Sequence, residues 1–310
     1  MERDLDPRDD KRERPGLHRS GRGAAGDHDV RRQNPREVLV QDLDLPRGRA
    51  RERVRVHTRT YGLRGSEVRA LATVGAFRVV PAEDLREATG RTTTARTGDL
   101  YRLREAGLVR TIPYGAGRDR TTLVVLTEEG RELLETHRRP ADGPRQTFYA
   151  GLVKPREVPH DSHVYRAYLR SADRLVSSGS RIRRVVLDYE LKRDYQRFLQ
   201  DRNRRHRHPN ADEWVHFRNA EEWARGHHLP YDDGHVQFPD VRIEFERPDG
   251  RFEVEDVEVW TPHYRGAFAQ AKAAAGFARY RSGGRGVIGS RSGRRGGASL
   301  DPRLAEELLP

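Results

Sequence analysis

The stretch that most limits how this chain can fold is "VRIEFERPDGRFEVEDVEVW", residues 241–260. Val241, Ile243 and Phe245 alternate with Arg242, Glu244 and Glu246, the period of a strand with one face buried. Between the two runs stands Arg247-Pro248-Asp249-Gly250-Arg251. Pro248 and Asp249 suit the centre of a type I turn, and Gly250 suits the left-handed position that closes it. A three-residue loop of this kind pairs Arg247 with Arg251. Continuing that register sets Val241 opposite Val257, Asp256 opposite Arg242, and Asp240 opposite Glu258. Opposed residues project on one face with β-carbons about 5 Å apart. Two carboxylates so placed repel unless a cation bridges them, and oxygen donors suit Mg²⁺ or Mn²⁺. Acids decorating a solvated sheet face remain the plainer alternative, and an Arg242–Asp256 ion pair accounts for Asp256.

The chain around this hairpin has 310 residues, a formal net charge of +12 and no cysteine. Length allows two domains. The charge fits a phosphate-rich partner, double-stranded DNA before membrane. Disulfides, thiolate zinc sites and cysteine nucleophiles are excluded. No apolar run is long enough for a membrane span and the N-terminus carries no signal-peptide core, so a cytoplasmic location is expected. Residues 1–55 mix charges of both signs with Gly and Pro and are expected to be disordered, apart from local docking of 36–48. The Gly/Arg-rich tail 282–310 is expected to be flexible, ending in a short helix capped by Asp301.

Residues 60–139 show a different periodicity. In "SEVRALATVGAFRVV" (66–80), Val68, Leu71, Ala72 and Val74 form one helical stripe, with Ser66 as its cap. "PAEDLREATG" (81–90) has a proline start, early acids and a glycine stop. Thr92 or Thr93 can cap a third helix over 92–106, with Ala95, Leu100, Leu103 and Ala106 inward. Arg96, Thr97, Tyr101 and Arg104 then point outward. A strand–loop–strand follows at 108–127 with Arg118 and Arg120 at or beside its tip. Thr127 caps a closing helix with acids in its first turn and basic residues in its last.

Three helices, a basic-tipped hairpin and a closing helix make the pattern of a winged helix-turn-helix. "DLYRLREAGLVRT" and "LTEEGRELLE" resemble the MarR-like winged-helix families. The resemblance implies that the third helix enters the major groove while the wing reaches neighbouring phosphates. The implied DNA contacts are Arg91, Thr93, Thr94, Arg96, Thr97, Tyr101, Arg104, Arg118 and Arg120.

The second block, 147–281, reads as mixed α/β. "SHVYRAYLR" (162–170) is expected to be a core-facing helix. A strand at Val185–Leu187 runs into a basic helix, and another helix covers 212–231. His206, His208, His227, His228, His235 and His263 lack the i, i+4 spacing of a zinc site. Pro239-Asp240 followed after a hairpin by Glu258 resembles the PD-(D/E)XK nuclease core. The winged helix joined to such a block resembles the replication-relaxation proteins of plasmids and integrative elements. These resemblances imply an α/β (α+β) fold with a mixed-sheet, restriction-endonuclease-like second domain. Asp240 and Glu258 would hold Mg²⁺ or Mn²⁺, Glu190 would assist, and phosphodiester hydrolysis would be the reaction. Trp260 stands where that pattern has its lysine, and Lys272 is the candidate substitute. The other reading is a DNA-binding regulator without chemistry, whose second domain serves homodimer formation or partner binding.

Overall fold

The computed structural model describes residues 33–85, 94, 96–116, 119–140, 144–151, 158–205, 213–260 and 275–281. They form a mixed α/β structure in which one hydrophobic cluster runs from Val38 and Leu71 through Tyr165 and Tyr168 to Val241 and Val259. The two blocks distinguished by sequence periodicity therefore share a core.

The chain enters through α1 (Pro35–Val38), whose N-terminus Asn34 caps by accepting from the Arg36 N–H at 3.0 Å. Val38, Leu39, Val40, Leu43 and Leu45 are buried. The local docking expected of 36–48 is thus seen at Val38–Leu45, while residues 47–53 are exposed and a strand forms over Glu52–Val56 where disorder was expected. The cause is non-local. Tyr168 donates its hydroxyl proton to the Pro35 carbonyl at 2.7 Å, and the apolar side chains of 38–45 meet partners far along the chain. Next comes the antiparallel hairpin β1 (Glu52–Val56) and β2 (Arg59–Leu63).

Helix α2 (Gly65–Phe77) begins one residue before the expected cap. Glu67 accepts from the Arg64 N–H at 3.1 Å, so Arg64 is the cap and Ser66 lies inside the helix. The helix is buried on nearly all sides, consistent with its Ala- and Val-rich sequence. β3 (Val80–Pro81) leads to a single 3-10 turn, Ala82–Asp84. The rest of the expected second helix, and the caps proposed at Thr92 and Thr93, lie outside the described residues. α3 (Gly98–Glu105) follows Thr97 and sets Leu100 and Leu103 inward as expected, but Ala106 just beyond it is exposed. β4 (Val109–Ala116) and β5 (Asp119–Leu126) form a hairpin, and β3 joins it to give the strand order β3-β5-β4. α4 (Glu128–Thr136) is capped by Thr127, whose hydroxyl accepts from the Gly130 N–H at 3.1 Å. It ends before the basic residues assigned to its last turn.

The remaining elements are α5 (Val158–Ser177), β6 (Arg181–Leu187), α6 (Asp188–Arg205), α7 (Glu213–Gly226), the short pair β7 (Tyr231–Asp232) and β8 (His235–Val236), β9 (Val241–Glu246), β10 (Phe252–Trp260) and β11 (Ala278–Arg281). The larger sheet has the order β11-β10-β9-β6. It is mixed, because β11 runs parallel to β10 while the other pairs are antiparallel. α5 packs on one face through Tyr165, Tyr168 and Leu175, and the Trp223 cluster of α6 and α7 covers Val186 on the other.

The outer edge of β6 would expose unpaired backbone groups. Glutamine side chains close it. Gln33 donates to the Ile182 carbonyl at 3.0 Å and accepts from its N–H at 2.8 Å; Gln146 does the same for Val185 at 2.9 and 3.1 Å.

Candidate functional site

The hairpin has the register that its turn dictates. Val241 pairs with Val257 and Arg242 with Asp256. The Arg247 N–H donates to the Arg251 carbonyl at 2.8 Å, and Gly250 has φ +82°. Asp240 and Glu258 are the next positions beyond the last ladder pair.

Asp240 is held by two groups. Its Oδ2 accepts from the Val259 N–H at 2.7 Å and lies 3.1 Å from Nε2 of His160, on α5. The carboxylate thus extends the ladder where the backbone of β9 has turned away. It lines a cavity of about 260 Å³ with Phe77, Arg78, His160, Asp161, Asp188, Tyr189 and Lys192. Burial alone would lower the pKa of His160. Hydrogen bonds to Asp161 and Asp240, and their charges, outweigh it and raise the pKa to about 10. His160 is therefore an imidazolium between two carboxylates at neutral pH. Arg78 approaches Asp161 at 3.8 Å and lies 5.5 Å over the Tyr189 ring. Its φ of +64° and the 2.6 Å bond from the Val79 N–H to the Phe77 carbonyl form a positive-φ γ-turn, a strained geometry for a side chain of this size.

Glu258 is fully buried. Its neighbours Val257 and Val259 belong to the core that α5 covers, so strand alternation sends Glu258 to the other face of the sheet. In the parallel ladder it stands opposite Arg279, whose guanidinium also lies 4.8 Å over the Trp260 ring. Glu190 is buried against Arg184 and accepts from the Tyr149 hydroxyl at 3.4 Å. Lys272 lies outside the described residues. No group of three or more His, Cys, Asp or Glu side chains among the described residues is placed to hold a metal ion. Asp240 is engaged by His160 and the Val259 amide, while Glu258 is buried opposite Arg279.

Sequence reasoning missed His160 and Asp161. Their only local signal is two polar residues opening an apolar helix, because the partner Asp240 is far along the chain.

The other candidate surface is that of α3. Arg96, Thr97 and Tyr101 are exposed and Arg104 is half-buried, pairing with Glu105 at 2.9 Å and lying 5.5 Å over the Tyr101 ring. Thr94 is exposed, and its hydroxyl accepts from the Arg96 and Thr97 N–H groups at 3.3 and 3.1 Å, shaping the turn into α3. Arg120 is exposed and pairs with Gly115 across the β4–β5 hairpin. Arg91, Thr93 and Arg118 lie outside the described residues. No described helix is long and apolar enough to cross a membrane.

Comparison with known proteins supplies no family: no family model, curated protein or solved structure matches the chain.

Proposed function

We propose that this chain binds double-stranded DNA through a winged helix-turn-helix made of α2, α3, α4 and the β4–β5 hairpin. The observation that carries this is the order of elements together with the direction of α3. Leu100 and Leu103 anchor the helix in the core, and Arg96, Thr97, Tyr101 and Arg102 are left in solvent. In the proposal α3 lies in the major groove, and Arg120 on the hairpin reaches phosphate. The net charge of +12 supplies the long-range attraction. A role in a plasmid or mobile element follows from the resemblance alone.

The test is binding of labelled duplex DNA by fluorescence anisotropy across a salt series. Arg96→Ala combined with Arg120→Ala is expected to weaken binding at least 10-fold and to reduce the salt slope by about 2, from two lost phosphate contacts. Unchanged affinity sinks the winged-helix assignment.

The larger sheet serves in this proposal as a scaffold without cleavage. Asp240 is committed to His160 and the Val259 amide, and Glu258 is buried opposite Arg279. Supercoiled plasmid incubated with Mg²⁺ or Mn²⁺ is expected to stay intact. Nicking that disappears in Asp240→Asn would make the protein a nuclease after all.

A further inference from the structure

The β1–β2 hairpin is a basic ribbon beside α3. Arg53 and Arg55 project on the solvent face of β1, while Val54 and Val56 are buried on the other. Their cross-strand partners are Gly62 and Thr60, both exposed. A Cβ added at Gly62 would meet nothing within 4 Å, so this face is open. The Arg55 side chain donates to the His57 carbonyl at 3.0 Å. Neither Arg53 nor Arg55 has an acidic partner among the described residues.

The ribbon is fixed to α3. Arg64, directly after β2, donates through Nε to the buried Asp99 at the start of α3 at 3.0 Å. Arg51, directly before β1, pairs with the buried Glu67 of α2. Between ribbon and helix runs a cleft of about 410 Å³, lined by Thr60, Tyr61 and Gly62 on one side and by Tyr101, Arg102 and Glu105 on the other. Ribbon and helix are therefore neighbours, with the Arg64–Asp99 pair tying the ribbon to α3 and the Arg51–Glu67 pair tying it to α2.

We propose that the ribbon is a second DNA-contacting element, laying Arg53 and Arg55 on the phosphate backbone flanking the groove that α3 occupies. Charge complementarity selects the partner. Two arginines without acids, opposite two small residues, form a surface on which a polyanion can lie close to the backbone of the strands. The inference rests on the DNA-binding function proposed above and adds to it a specific place.

The experiment is anisotropy of the full chain on duplex DNA over a salt series, comparing wild type, Arg53→Ala/Arg55→Ala and Arg53→Lys/Arg55→Lys. The alanine pair is expected to lower the salt slope by about 2 and affinity by about 3- to 10-fold, and the lysine pair to restore the slope, since it keeps the charge. Wild type that binds with a steep salt dependence, and an alanine pair that matches it, overturns the ribbon and leaves α3 in place. Wild type with no salt-dependent binding overturns both.

Discussion

Arg53 and Arg55 on β1, Arg96 before α3 and Arg102 on it stand in solvent, whereas Arg184 on β6 and Arg242 on β9 are enclosed and matched. Arg53, Arg55 and Arg96 are exposed. Arg184, by contrast, meets Glu190, Arg183 meets Glu246, and Arg242 meets Asp256 at 2.7 Å while also donating to the His227 carbonyl at 2.6 Å. The same side chain thus does opposite work in two regions that share a core. An exposed guanidinium costs the fold little and is available to a polyanion. A buried one must be paired and hydrogen-bonded, and is then tied to the stability of the sheet. Under the proposed DNA binding, the first region serves recognition and the second support.

The largest expected effect tests the supporting half. Arg242→Ala leaves Asp256 without its cation in a site where both side chains are nearly buried. Breaking such a pair costs about 3–5 kcal/mol, which lowers Tm by roughly 10 °C in a chain of this size. The Arg53→Ala/Arg55→Ala variant, measured in the same thermal melt, is expected to stay within about 0.5 kcal/mol of wild type per site. If both variants melt alike, the division between displayed and enclosed arginines is wrong.

Much of this was legible in the chain itself, and what was not shares a physical cause. The register of β9 and β10 follows from Pro248-Asp249-Gly250, because the turn and the period-2 pattern agree. α4 follows from its Thr127 cap and first-turn acids, and helices were expected where α6 and α7 stand. The β1–β2 hairpin escaped notice because its turn lacks the usual Asn or Gly. His57 takes φ +49° there, and its ring meets Glu132 at 2.8 Å. The burial of 38–45 and the sealing of β6 by Gln33 and Gln146 depend on partners more than thirty residues away, which no local pattern encodes. The candidate site follows the same rule. Asp240 was visible as an acid at a strand start, while the group that engages it, His160, sits on another element 80 residues earlier.

The two histidines of α5 give the finest test, because one lies between two carboxylates and the other is buried beside a guanidinium. His160 has its pKa raised to about 10 by Asp161 and Asp240 against the opposing effect of burial. Its folded value lies above the ordinary 6.5, so the stabilisation is complete below pH 6.5 and is lost as pH rises through about 10. His163 is buried beside Arg166, and burial followed by that charge lowers its pKa to about 4. It stays neutral in the fold, so its contribution is complete above pH 6.5 and is lost as pH falls toward 4. Denaturant midpoints measured from pH 4 to 10 should therefore fall at both ends. His160→Gln is expected to flatten the alkaline side alone, and His163→Gln the acidic side alone. An alkaline slope that survives His160→Gln would mean that Asp240 is not held by an imidazolium, and would return its carboxylate to the pool of free acids from which a metal site could be built.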